Sequence, residues 1–155
     1  MTQVIAGAEQ DESLVSIVYT SSATCELNAE DLEDLLDVSR RNNQRDSITG
    51  MLLHVEGNFM QAIEGPPDRM RDLYRRLERD QRQRGLIKLI DEPIAHRQFA
   101  GWSMAFRQET FNSLKKLEGF SDFLQHGFDV KMLRAQPGKA LKLLLTFREV
   151  TLACG

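Results

Sequence analysis

Two short apolar runs, residues 47–55 and 59–64, are separated only by Glu56-Gly57-Asn58, whose glycine and asparagine suit a tight turn between antiparallel strands. This hairpin constrains the fold more than any other feature, because its register decides which face of a sheet each side chain must take. Successive strand side chains alternate between faces, so Phe59, Gln61 and Ile63 point one way while Met60 and Ala62 point the other. Gln61 therefore belongs to an apolar face. A buried amide carries two donor and two acceptor sites, and each one left open costs about 1–3 kcal/mol. Gln61 needs a polar partner.

The flanking segments supply candidates and define a fold class. A strand at about residues 14–20 places Val15, Ile17 and Tyr19 on one face. Asn28 is a suitable N-cap for a helix running to about residue 43, with Glu30 and Asp31 placed well for its dipole. Its inward stripe is Leu32, Leu35, Leu36, Ser39 and Asn43, which begins with leucines and ends with an amide. Pro66-Pro67 opens a second helix with Met70, Leu73, Tyr74 and Leu77 inward, and Gly85 is the expected stop. Further strands are expected at about 86–91 and 102–107, the latter with Trp102 and Met104 on one face. The order β-α-β-β-α-β-β is the α+β, ferredoxin-like plan with one added strand, giving a five-stranded sheet with two helices on one face. A flat ligand fits between those helices. Tyr19, Asn43 and Gln61 arriving together suggest a planar polar ligand, although a satisfied core network is the alternative for any one of them.

Composition narrows the function classes. The chain has 155 residues, 41% hydrophobic and 28% charged, enough for one domain with a real core. A net charge of -3 and a pI near 5.6 give no general attraction to nucleic acid or an anionic membrane. Cys25 and Cys154 form no disulfide framework, and His54, His96 and His126 are too scattered to suggest a metal pair. No apolar run is long enough to span a bilayer, so a cytoplasmic location is expected. Residues 1–12 are acidic and aperiodic and read as a mobile leader. Beyond Glu109 the chain carries Phe111, Leu114, Leu117, Phe120, Phe123 and Leu124, then Pro137-Gly138 and a final helix over about 139–150. Its apolar arc, Leu141, Leu143, Leu144, Leu145 and Phe147, is too wide for a surface helix and is expected to cover the open face of the sheet, with a partner surface as the alternative.

Four motifs in order carry a resemblance: the strand from Leu14 ending in Tyr19-Thr20-Ser21, then Asn42-Asn43 followed by Ile48-Thr49-Gly50-Met51-Leu52, then Asn58-Phe59-Met60-Gln61-Ala62-Ile63-Glu64-Gly65, then Phe99-Ala100-Gly101-Trp102-Ser103-Met104. Over residues 14 to 108 the chain resembles the BLUF domain, a flavin-based blue-light sensor. The resemblance implies a BLUF domain at 13–108, a C-terminal helical extension at 109–155, and noncovalent FAD, with FMN or riboflavin possible. It implies that Tyr19 and Gln61 are the photoactive pair, with Trp102 and Met104 as the residues proposed to exchange places during output. Ordinary core packing accounts for those last two equally well. It further implies Gln61 and Asn43 as cofactor-binding residues at the flavin edge, Asn42 bordering it, Arg82 at the C2 carbonyl and Asp80 at the ribityl chain. The other arginines between Arg69 and Arg84 read as a solvated helix face paired with Asp68, Asp72, Glu78 and Asp80. With no cyclase or phosphodiesterase domain expected after residue 108, the chain is expected to be no enzyme and to signal through its tail to a partner protein or as a homo-oligomer. A small acylphosphatase-like hydrolase on the same plan, using Asn43 and an arginine to polarise a phosphate, is the alternative. A single-stranded RNA reader would need exposed strand aromatics and a basic surface, neither of which is evident.

Overall fold

The structure, a computed structural model, describes residues 13–117 and 129–154. The leader at 1–12 and the tail positions Phe120, Phe123, Leu124 and His126 lie outside the described residues. The elements run β1 (Leu14–Ala23), α1 (Ala29–Asp46), β2 (Thr49–Val55), β3 (Asn58–Gly65), α2 (Pro67–Arg79), β4 (Gln83–Ile94) and β5 (Ala105–Glu109). Three helices follow: α3 (Phe111–Lys115), α4 (Val130–Ala135) and α5 (Pro137–Cys154). The five strands form one sheet in the order β4-β1-β3-β2-β5. All neighbours are antiparallel except β2 and β5, which are parallel. The first four strands keep the ferredoxin-like order, and the fifth is added at the β2 edge.

Helix α1 starts where the sequence places it. The Asn28 side chain accepts from the Asp31 amide at 2.8 Å while the Asp31 carboxylate accepts from the Asn28 amide at 3.4 Å, a reciprocal capping box. It runs on to Asp46 and is closed by Ser47 in the left-handed region, φ 59°. Helix α2 departs from expectation. It ends at Arg79, where the Asp80 amide turns back to the Leu77 carbonyl at 3.2 Å, and not at Gly85. Gly85, at φ 66°, lies inside β4, in a stretch where the pairing with β1 shifts register. Such an irregularity uses a glycine as readily as a helix end does, so the residue alone did not distinguish them. A second departure concerns residues 101–104. They form a turn through Gly101, φ 85°, and β5 begins only at Ala105, so Trp102 and Met104 do not share a strand face.

The alternation of the central strands sorts the interior into two cores. Ile17, Tyr19, Phe59, Ile63 and Leu52 lie on the side covered by α1 and α2, against Leu36, Met70 and Tyr74. Val18, Met60, Ala62, Met51 and Leu53 lie on the other side, against Leu133, Leu143, Leu144 and Phe147 of α4 and α5. The final helix covers the open face of the sheet, and its wide apolar arc follows from that burial. Strand β2 packs so closely on β3 that a Cβ at Gly50 would stand 2.1 Å from the Ala62 carbonyl oxygen.

Candidate functional site

Tyr19 and Gln61 are direct cross-strand partners on β1 and β3, which aims both side chains to the same face at the same height. The Tyr19 hydroxyl donates to Gln61 Oε1. At its other end the amide Nε2 donates to Met104 Sδ at 3.2 Å. Tyr19 is 1% exposed and meets the Tyr74 ring edge-on, with centroids 5.8 Å apart. Burial pushes the phenol well above the ordinary tyrosine range, against a smaller opposing effect of the Gln83 amide. Tyr19 is therefore a neutral O–H donor at any physiological pH. The amide it faces is held firmly at one end by a phenol and weakly at the other by a thioether, which is a poor acceptor.

The pair forms the floor of a cleft between α1 and α2. Leu27, Leu35, Leu52, Phe59 and Leu77 supply apolar walls, and Ser39, Asp80, Arg82, Gln83 and Met104 interrupt them with polar or soft groups around a small, partly open cavity. The cavity opens outward into a groove that adds Asn42, Asn43, Arg76 and Arg79. Asn43 is 3% exposed and donates from Nδ2 to the Ser103 carbonyl at 2.7 Å, while its Oδ1 has no donor among the described residues. Arg82 is turned onto Asp80, with Nε to Oδ1 at 2.9 Å and Nη2 to Oδ2 at 2.7 Å. That contact holds the Asp80 carboxyl below its ordinary range, chiefly through the Arg82 hydrogen bond and against its partial burial. Arg76 lies 3.6 Å from the buried Asp46 carboxylate. Apolar walls with a few convergent hydrogen-bonding groups on the floor and one edge fit a planar heteroaromatic ring with a polar rim, held without a covalent bond.

Tyr19, Gln61, Met104, Asp80 and Arg82 thus line one cavity, and Asn42 and Asn43 line its outer part. Trp102 does not join them. It packs against the core on the opposite face of the sheet, while Met104 lines the cleft. Sequence reasoning placed Ser39 on the inward stripe without assigning it to the site, read Arg76 as part of a solvated helix face, and passed over Gln83. The signal for Arg76 was its position between Leu73 and Leu77 of the inward stripe and one turn before Asp80. Gln83 carried no signal, because its place follows from where α2 stops.

Residues 14–105 match the family model described as BLUF, sensors of blue-light using FAD. The chain belongs to the BLUF family. It is 36% identical over 98 residues to the photoactivated adenylate cyclase subunit beta-like protein FB of Euglena gracilis, a match covering 63% of this chain and 11% of that protein. It is 26% identical over 137 residues to the blue light- and temperature-regulated antirepressor BluF of Escherichia coli (strain K12), covering 86% of this chain and 32% of the antirepressor. Among solved structures, the dark state of BlrB, a BLUF protein, superposes with a TM-score of 0.63 at 30% identity, covering 83% of this chain and 97% of that one. A bacterial light-regulated adenylyl cyclase does so with a TM-score of 0.60 at 29% identity, covering 90% of this chain and 36% of that one. The chain spans 9% to 12% of the length of the cyclase subunits it matches. The five-stranded α+β architecture agrees with these BLUF structures, and the family uses FAD. The hydrolase alternative has no support in these matches. Among the described residues, no helix is long and apolar enough to cross a membrane.

Proposed function

We propose that this BLUF chain senses blue light through FAD held in the α1/α2 cleft, with the Tyr19–Gln61 hydrogen bond as its photoactive element. The observation that carries the reading is that bond: a buried phenol and a buried amide, joined across adjacent strands, open onto a cleft whose lining suits a flat polar ring. A flavin held there would supply the light absorption and the redox partner to which the Tyr19 phenol gives an electron together with its proton. Asn42, Asn43, Asp80 and Arg82 would hold its polar edge and side chain, with Arg76 at the mouth. Leu35, Leu77 and Phe59 exclude water from the floor, which strengthens every polar contact there.

The residues' own chemistry supports a switch at Gln61. Tyr19 keeps its proton on the phenol oxygen and can release it through the hydrogen bond to Gln61 Oε1. An amide whose two ends differ only in donor and acceptor character can turn over or change tautomer, exchanging which end meets the phenol. The weak Met104 contact opposes that change little. Output then passes from Met104 and its turn toward the helices on the far side of the sheet, and on to a partner protein or a second copy of the chain. The named relatives include a photoactivated cyclase subunit and a light-regulated antirepressor, so more than one kind of effector accompanies this module.

The test is optical. Protein reconstituted with FAD should be yellow and show a light-induced red shift that reverses in the dark. A folded chain that takes up no flavin, or takes it up and shows no reversible shift, would overturn the reading.

A further inference from the structure

Helix α5 sits on the far side of the sheet from the cleft, yet one of its side chains holds the segment that ends at Met104. Arg148 Nη1 donates to the Gln98 carbonyl at 2.5 Å, while Nη2 pairs with the exposed carboxylate of Glu149. From Gln98 the segment is secured step by step toward the photosite. Glu64, 1% exposed, takes the amides of Gln98 at 2.9 Å and Phe99 at 2.7 Å. The Phe99 carbonyl accepts from the Trp102 amide at 3.0 Å, and the Trp102 carbonyl from the Gly50 amide at 2.9 Å. Ser103 and Met104 then meet Asn43 and Gln61. A continuous chain of polar contacts and short backbone therefore joins α5 to the amide that meets Tyr19.

Two atoms at the α5 end are left over. Gln98 Oε1 and Arg148 Nε are both buried and both without a partner among the described residues. One is an acceptor and the other a donor, and they belong to two residues already in contact. Buried polar groups are nearly always paired, so an orphan donor and an orphan acceptor at one contact mark an arrangement that a small displacement would improve. Resting on the flavin-photosite reading, we propose that Arg148 is a positioning residue of the photosite: it sets where residues 98–104 stand against Gln61 and Asn43, and an Arg148 Nε to Gln98 Oε1 bond forms in the alternative position of that segment. A contact that differs between two states biases their free-energy difference, and that bias acts in both directions. Light at the cleft then alters how α5 is held, and changes at α5 alter how long the lit state lasts.

Four variants of the full, FAD-loaded chain test this: Arg148→Gln, Arg148→Lys, Gln98→Ala and Glu149→Gln. Each is compared with the parent by the amplitude of the light-minus-dark spectrum and the rate of dark recovery. Arg148→Gln should keep the red shift, because Tyr19 and Gln61 are untouched, but change the recovery rate by about threefold or more, the scale of a modest coupling between packed elements. Arg148→Lys, which keeps a donor for the Gln98 carbonyl but has no Nε, should recover at a rate between those two. Gln98→Ala retains the backbone tether and removes only the alternative acceptor, so it should shorten the lit state. Glu149→Gln, at an exposed pair, should match the parent. If Arg148→Gln does not fold, Gln98→Ala decides alone. Recovery rates in folded Arg148→Gln and Gln98→Ala equal to the parent's would overturn the proposal while leaving the photosite standing. A parent that binds flavin without any red shift would instead bring down the photosite reading, and this inference with it.

Discussion

Replacing Tyr19 by Phe separates photochemistry from packing. The ring keeps its edge-on contact with Tyr74 at 5.8 Å and its place in the core, so folding and flavin uptake should persist. What is lost is the donor to Gln61 Oε1, in a residue 7% exposed. An unsatisfied buried acceptor costs about 1–3 kcal/mol, partly offset because the phenol no longer has to be desolvated, which leaves a net loss of about 1–2 kcal/mol. For a chain of this size that lowers Tm by about 2–8 °C. The optical consequence is far larger: without the hydroxyl there is no proton to release toward Gln61, and the stable red shift should vanish. Difference absorption spectra at saturating FAD read the second effect, and denaturant unfolding reads the first. A mutant with full flavin loading and an undiminished reversible shift would refute the role given to this bond.

Asn43→Ala removes the donor to the Ser103 carbonyl and the open Oδ1 at the cleft, so FAD should bind about tenfold more weakly by fluorescence titration; unchanged affinity and photocycle would take Asn43 out of the site. Leu144→Ala, at an α5 side chain that is 0% exposed, should cost about 2–5 kcal/mol in denaturant unfolding while leaving the spectrum of any folded, flavin-loaded fraction unaltered. The Asp46 carboxyl is held below its ordinary 3.8 first by the Arg45 hydrogen bond, with Arg69 and Arg76 adding and burial opposing. The folded state thus favours the charged form, so this contribution is present above pH 3.8 and is lost as the pH falls through the lower folded value. Asp46→Asn should flatten the acid limb of the stability curve there, and an unchanged limb would show that other carboxylates govern it.

Much of the candidate site was legible in the sequence, for a physical reason. Alternation in β3 puts Gln61 with Phe59 and Ile63, and alternation in β1 puts Tyr19 with Ile17, so each polar group betrayed itself against an apolar background. Asn43 announced itself in the same way on a helical stripe. The errors fall where no period operates. Trp102 and Met104 are spaced like strand neighbours on one face, but the turn through Gly101 sends Trp102 to the α5 side and Met104 to the cleft. Gly85 looked like a helix stop and proved to be part of an irregular strand, while α2 ended at Arg79.

Arg82 illustrates the same limit among the charges. Its position near the end of α2 was visible, but its bidentate contact with Asp80 depends on α2 stopping early enough to turn the chain. Local patterning by itself determined the element order, the two-sided sheet and which face Tyr19, Asn43 and Gln61 must take, because burial at period 2 or 3.6 is written into consecutive residues. Only the tertiary structure decided that Tyr19 meets Gln61 across the β1/β3 ladder, that Met104 closes the other end of the amide, and that Arg148 of α5 reaches Gln98. Periodicity tells a side chain which side to face, whereas strand order, turn conformation and helix ends decide what it finds there.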